Sequence, residues 1–172
     1  MSNRIREATP ADATAILPIY NHAVRETTSV WTEAESDVDG RREWLEARRA
    51  LGYPVLVAEH EGAIAGFASF GDFRPWPGYR HTVENSVYVA PALHRRGLGR
   101  ELMEALIARA QHLGKHAMIA GIEASNTASL RLHASVGFVE VARMPQVGCK
   151  FGRWLDLVLM QRRLDGAAAP PE

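Results

Sequence analysis

A chain of 172 residues with 47% apolar and 23% charged side chains has the length of one domain and the composition of a packed core, which excludes wholesale disorder. Twenty Lys and Arg balance 20 Asp and Glu, so a general attraction to nucleic acid or to an anionic membrane is excluded and any basic site has to be local. One cysteine, Cys149, allows no internal disulfide and suits a reducing compartment. No apolar run approaches the ~20 residues of a membrane span, and MSNRIREATP lacks the apolar centre of a signal peptide. A soluble cytoplasmic domain is expected.

In chain order, RIREA alternates as a first strand. Thr9, Pro10 and Asp12 then form a helix-start signature for TPADATAILPIYNHAV, with Pro18 predicting a kink or break late in that helix. SVWTEAES reads as a loop with a strand fragment. Asp37 caps VDGRREWLEARRAL, whose Trp44, Leu45 and Leu51 are core candidates, whose charges read as a solvated face, and which Gly52 ends. YPVLVAEHEGAIAGFASFGDFR predicts two strands turning at Glu61-Gly62. PWPGY is a turn and TVENSVYVA a strand. The next helix, from Gly97 to Gly114, carries Leu98, Leu102, Leu106, Ile107 and Leu113 at helical spacing. HAMIAGIEA follows as a strand and NTASLRLHASVGF as a short helix capped by Asn126. VEVARM, a loop PQVGCKFGR and a last strand WLDLVLMQRRL complete one domain over residues 1–164, with 165–172 a frayed tail. The order predicts a mixed, mostly antiparallel α/β sheet with helices on both faces.

Gly97 and Gly99 stand out, because a glycine inside a helix costs about 1 kcal/mol relative to alanine. A helix start presents free N–H groups and partial positive charge, and glycines let an anion such as phosphate approach them. Arg95, Arg96 and Arg100 add charge there. The same residues also fit a glycine turn into a helix with a basic solvated face. No Lys-Ser/Thr follows the glycines, which disfavours a nucleoside-triphosphate loop. Leu102 stands where a dinucleotide fingerprint has its third glycine.

SVYVAPALHRRGLGRELMEAL resembles the acetyl-CoA segment of the GCN5-related N-acetyltransferases (GNAT), whose pattern is Gln/Arg-x-x-Gly-x-Gly/Ala after a strand. EASNTASLRLHASVGF is similar to their second marker. GDFRPWPGYRHTVENSVYV, RLHASVGF and MPQVGCKFGRWLDLVLMQ resemble the phosphinothricin and methionine sulfoximine or sulfone acetyltransferases within that family, from Ile5 to about Leu164. His94 departs from the pattern's first position. The resemblance implies the GNAT fold, acetyl-CoA as cosubstrate with no metal, a homodimer, and a small amino-acid-type acceptor.

Transfer to an amine requires a base for the ammonium proton, a donor to the thioester oxygen and a proton for the leaving thiolate. Glu84 is the candidate base, and otherwise a glutamate on the polar side of a strand. His133 is the candidate acid, and otherwise a histidine packed beside Leu130 and Val136. The resemblance assigns the backbone of Val87, Tyr88 and Val89 to the pantetheine arm, and that of Arg95, Arg96, Gly97, Leu98, Gly99 and Arg100 to the pyrophosphate. Asn126 is implied as a cofactor contact and is equally a helix cap. Arg74, Pro75 and Trp76, with Glu84, Asn85 and Ser86, are the implied acceptor contacts, and Lys150 and Arg153 could complete an anion pocket. His112 and His116, at i and i+4, lack a third metal ligand. Cys149 has no neighbouring base to make it a nucleophile. Rival readings are an acetyltransferase for peptide N-termini, lysine or polyamines, and a coenzyme A-binding module without turnover.

Overall fold

The computed structural model describes residues 3–165 and 169–170. Its elements are β1 (Arg4–Glu7), α1 (Ala13–Glu26), α2 (Val38–Ala50), β2 (Val55–His60), β3 (Ala63–Asp72), β4 (Thr82–Val89), α3 (Leu98–His112), β5 (Ala117–Glu123), α4 (Thr127–Ser135), β6 (Val139–Lys150) and β7 (Arg153–Arg163). Seven strands form one sheet in the order β1-β2-β3-β4-β5-β7-β6. Every neighbouring pair is antiparallel except β4–β5. This is the mixed, mostly antiparallel sheet that the element order predicts.

Strand alternation divides the core into two layers. Val55, Val57 and Phe67 pack with Ala13, Ile16 and Ile19 of α1 and Leu45 of α2. Leu56, Ala58, Ala68 and Phe70 point the other way, to Leu98, Leu102, Met103, Leu106 and Ile107 of α3. Helices therefore cover both faces, α1 and α2 on one and α3 on the other. A fully buried aliphatic or aromatic side chain contributes roughly 1.5–3 kcal/mol. The six buried residues of α3 thus far outweigh the cost of one glycine inside it.

Several turn and cap expectations hold. Gly40 N donates to Asp37 Oδ1 at 2.7 Å, and Glu61 and Gly62 take the positive φ pair, 51° and 81°, of a two-residue hairpin. Others are corrected. Helix α1 runs unbroken through Pro18; burial of Ile16, Ile19, Ala23 and Val24 around it offsets the single lost hydrogen bond. The strand fragment expected in SVWTEAES does not form. The predicted loop PQVGCKFGR is mostly strand, because β6 continues to Lys150 and only Phe151-Gly152 make the turn. Its Pro145 is tolerated on an edge strand within a bulge, where Gln146 has φ 53°. The charges of α2 are not all a solvated face: the Arg41 guanidinium stacks 3.9 Å from the Tyr20 ring centroid, and Arg48 is half-buried. The expected tail falls mostly outside the described residues.

Candidate active site

The site begins where the sheet comes apart. Strands β4 and β5 pair only over Thr82–Glu84 against Ala117–Ile119, while β4 stays paired to β3 as far as Val89. Beyond Glu84 the two parallel strands diverge, and β4 has no β5 partner for its backbone groups. A cleft of about 1080 Å³ fills the gap. Its lining includes Glu84 to Val89 of β4, Ala120 to Glu123 of β5, the start of α3 and much of α4.

One wall of the cleft is charged. Glu84 pairs with Gly71 across β3–β4, so its side chain rises on the face covered by α1 and α2. A Cβ on Gly121 would lie 3.0 Å from Glu84 Oε1, so the bare glycine on β5 gives the carboxylate its room. Burial pushes the Glu84 carboxyl above the ordinary glutamate range, and the nearby Arg74 charge opposes this only in part. Deeper along β5, Glu123 is buried. Burial works against its charge, but hydrogen bonds from Ser125 Oγ, Ser125 N at 3.0 Å and Thr28 Oγ1 at 2.9 Å hold its carboxyl below the usual range.

Thr28 belongs to the segment after α1, whose Thr27 and Ser29 line the cleft. Lys150 fixes that segment. Its buried ammonium donates to the carbonyls of Val24, Thr27 and Val30, each at 2.6 Å. Burial pulls its pKa down, with Glu33 opposing. All three ammonium donors are spent on backbone, so Lys150 does not complete an anion pocket. Trp31 occupies the space a side chain at Gly148 would need.

The opposite wall is close-packed around one polar chain. Asn85 stands where the ladder ends, and its Nδ2 donates to Ile119 O at 3.2 Å, continuing the β4–β5 pairing by a side chain. Its Oδ1 lies 3.0 Å from His133 Nε2. The other ring nitrogen, Nδ1, is 2.8 Å from Ser129 O. His133 is 2% exposed and meets Phe138 edge-on, with ring centroids 5.1 Å apart. Because Ser129 O only accepts, Nδ1 carries a proton. Asn85 commits its amide nitrogen to Ile119 O, so its Oδ1 also only accepts, and the Nε2 contact is a hydrogen bond when the ring carries both protons. Burial pushes the imidazole pKa down, against that form, and the Ser129 bond opposes the shift.

The two glycines prove to have different reasons. Gly97 caps α3 at φ +85°, a left-handed conformation that a side chain would strain. A Cβ on Gly99 would meet Leu132 Cδ2 at 3.2 Å and Val89 Cγ2 at 3.7 Å, so this glycine lets α3 pack against α4 and β4. Arg95 is also left-handed, at φ 64°, and His94 Nε2 donates to Val89 O at 2.9 Å, tying the loop back to the strand. The first N–H groups of α3 have no intrahelical acceptor and the positive end of the helix faces the cleft. Arg95, Gly97, Leu98, Gly99 and Arg100 line it; Arg96 does not. Asn126 lines it too while capping α4, its Oδ1 accepting from Ser129 N at 3.1 Å.

Glu84, Asn85, Ser86, Val87, Tyr88, Val89 and His133 therefore converge on one cleft. Arg74, Pro75 and Trp76 do not line it: they are exposed on the β3–β4 connection, with the Arg74 guanidinium 4.8 Å from the Phe73 ring centroid. The sequence reading missed Gly121, Glu123, Thr28 and Arg48, all brought to the cleft or its wall by strand pairing or packing across the sheet. No metal-holding group of three or more His, Cys, Asp or Glu exists among the described residues.

A sheet split beside an open helix N-terminus, with a carboxylate of raised pKa at the fork, brings an anion-binding end and a candidate base to one ligand-sized cleft. The chain belongs to the acetyltransferase (GNAT) family, whose model matches residues 16–138. It is 57% identical over 166 residues to an L-methionine sulfoximine/L-methionine sulfone acetyltransferase of Salmonella typhimurium, covering 96% of this chain and 97% of that one. It is 42% identical over 170 residues to a phosphinothricin N-acetyltransferase of Alcaligenes faecalis, covering 98% and 86%. A Salmonella typhimurium acetyltransferase solved with its cofactor acetyl-CoA superposes with a TM-score of 0.96 at 56% identity, covering 99% of each chain.

Proposed function

We propose that this chain, as a single domain over residues 1–164, transfers the acetyl group of acetyl-CoA directly to the α-amine of a small amino-acid analogue of the methionine sulfoximine, methionine sulfone or phosphinothricin type. The observation that carries the reading is the fork at Glu84, where a half-buried carboxylate sits beside free strand backbone. Bound acetyl-CoA supplies the activated thioester. The backbone donors of Val87 and Val89 face the open side of β4 and suit the arm that carries it, one of them aimed at the thioester oxygen as charge develops there. Tyr88 N–H instead points to β3, on the same side as Thr82 O and Ala90 N. The N–H groups from Gly97 to Gly99 suit the pyrophosphate, while that of Arg100 is bonded to Gly97 O at 3.0 Å.

Glu84 removes the proton that the acceptor ammonium must lose, directly or through one water. As the amine nitrogen bonds to the carbonyl carbon the C–S bond breaks, and the second proton shed by the nitrogen goes to the leaving thiolate. Its raised pKa matches a base working nearer neutrality than an exposed glutamate would. His133, engaged at both nitrogens, acts as a positioning residue through Asn85 and holds the fork in shape. Cosubstrate and acceptor meet in one cleft, which supports transfer within a ternary complex and leaves Cys149 without a role in it.

We further read the molecule as a cytoplasmic homodimer. Trp154 is 68% exposed, Val139, Val141 and Val147 of β6 are also exposed, and β6 is an open edge of the sheet, which supports pairing with a second copy. Cys149 is an exposed free thiol, which suits a reducing compartment. No helix among the described residues is long and apolar enough to cross a membrane.

The test is thiol release from acetyl-CoA against phosphinothricin, methionine sulfoximine, methionine sulfone, ordinary amino acids, a polyamine and N-terminal peptides. Turnover of the amino-acid analogues supports the reading. Turnover of peptides or polyamine alone overturns the acceptor assignment, and coenzyme A binding without any turnover overturns the enzyme reading.

A further inference from the structure

The charge pattern of α2 predicts arginines in water, and Arg48 is the one that crosses to the cleft. Its guanidinium occupies the space that a Cβ on Gly71 would need. Only a glycine at that point of β3 lets it in. Gly71 is the direct cross-strand partner of Glu84, and directly paired antiparallel residues project on the same face. Arg48 and Glu84 therefore stand over neighbouring strands on one side of the sheet, and both line the same cleft.

Of five N–H donors, Arg48 uses one on protein, from Nη1 to Phe70 O at 3.3 Å. It forms no ion pair among the described residues, although Asp72 and Tyr53 are close enough to favour its charge against burial. A half-buried guanidinium with donors to spare, facing a cleft, is a ready site for a carboxylate. Its position also fits an acceptor bound at Glu84. The Glu84 carboxylate leans away from β3, toward Gly121 on β5. With one strand spacing of ~4.8 Å between Gly71 and Glu84 and the carboxylate leaning further toward β5, the two charges stand between one and two strand spacings apart. An α-amino acid hydrogen-bonded through its amine at one end and its carboxylate at the other, at about 2.8 Å each, fills such a span. Arg74, whose charge reaches Glu84, stays exposed on the connection beyond β3 and does not line the cleft.

We propose that Arg48 binds the α-carboxylate of the acceptor and so makes the site select amino acids over simple amines. This rests on the acetyl-transfer reading above. The experiment compares methionine sulfone with its carboxamide as acceptors, at saturating acetyl-CoA, for the wild type, Arg48→Gln and Gly71→Ala. The wild type is expected to favour the carboxylate. Arg48→Gln should raise KM for methionine sulfone roughly 10- to 100-fold, leave KM for the carboxamide within about twofold, and leave acetyl-CoA affinity unchanged. Gly71→Ala keeps the arginine but displaces its guanidinium, and should reproduce the loss of preference. Equal weakening of both acceptors, as a structural role alone would give, or full retention of the carboxylate preference in both variants, overturns the proposal. If the wild type acetylates neither acceptor nor any amino acid, the acetyl-transfer reading fails with it.

Discussion

Strand β4 has two unlike sides. On the side of α1 and α2, Glu84, with Arg48, Gly71 and Gly121 around it, forms a cleft wall with charges and empty space, where two glycines stand in place of side chains. On the side of α3 and α4, Val83, Val87 and Val89 meet the apolar core, and the one polar chain, Ile119–Asn85–His133–Ser129, is nearly fully bonded. The first side provides ionisable groups with freedom to meet a ligand. The second provides a rigid frame that keeps the sheet forked. A single run of sequence, TVENSVYV, supplies both, because alternate residues of a strand face opposite ways.

The sharpest way to break this division is to remove the charge without changing the frame. Glu84→Gln is expected to lower kcat by about 10²- to 10⁴-fold at neutral pH, with acetyl-CoA binding unchanged by calorimetry. A similar loss of cofactor affinity would mean that Glu84 belongs to the frame. Next in size, Gly121→Ala should lower kcat by about tenfold, because the new methyl lies 3.0 Å from Glu84 Oε1 and must turn the carboxylate. An unchanged kcat would show that the carboxylate has another place to work from.

On the frame side, His133→Phe removes both ring hydrogen bonds and leaves Asn85 Oδ1 without its partner. It should destabilise the fold by about 1–3 kcal/mol, measured by denaturant unfolding, and lower kcat while the acid limb of the pH profile stays in place. A shift of that limb would make His133 the titrating group. The smallest effect belongs to Gly99→Ala. Helix propensity favours it by up to about 1 kcal/mol, but its methyl would press on Leu132 Cδ2 at 3.2 Å. Near-cancellation in stability is expected, with weaker acetyl-CoA binding as α3 shifts against α4. Tight binding in a clearly stabilised variant would show that α3 and α4 adjust freely.

These contrasts also mark what the sequence could tell. Element order, the Glu61-Gly62 turn, the Asp37 and Asn126 caps and the helix after Gly97 were legible because each signal lies within a few residues. Glu84, Asn85 and His133 were found by resemblance, and the structure brings them to one cleft. What escaped depends on distant partners. Nothing local in VDGRREWLEARRAL distinguishes Arg48 from the solvated arginines beside it; the opening is at Gly71, 23 positions on. Lys150 read as a free cation because the three carbonyls it gathers come from residues 24–30. Gly97 and Gly99 read alike in the sequence, whereas one serves a backbone angle and the other a helix contact, beside the N–H groups proposed for the pyrophosphate. PQVGCKFGR read as loop because Pro and Gly suggest turns, but an edge strand absorbs both in a bulge.

We assign the acceptor's proton to the carboxylate at the fork. The most direct test is the pH profile of kcat/KM for methionine sulfone in the wild type and in Glu84→Gln. A base has to be ionised, so a pKa raised by burial places the acid limb of the wild-type profile above the ordinary glutamate range, with activity rising as pH passes through it. This limb should disappear in Glu84→Gln, and part of the lost rate should return at high pH, where the amine deprotonates unaided. The same limb at the same pH in both proteins would contradict the assignment.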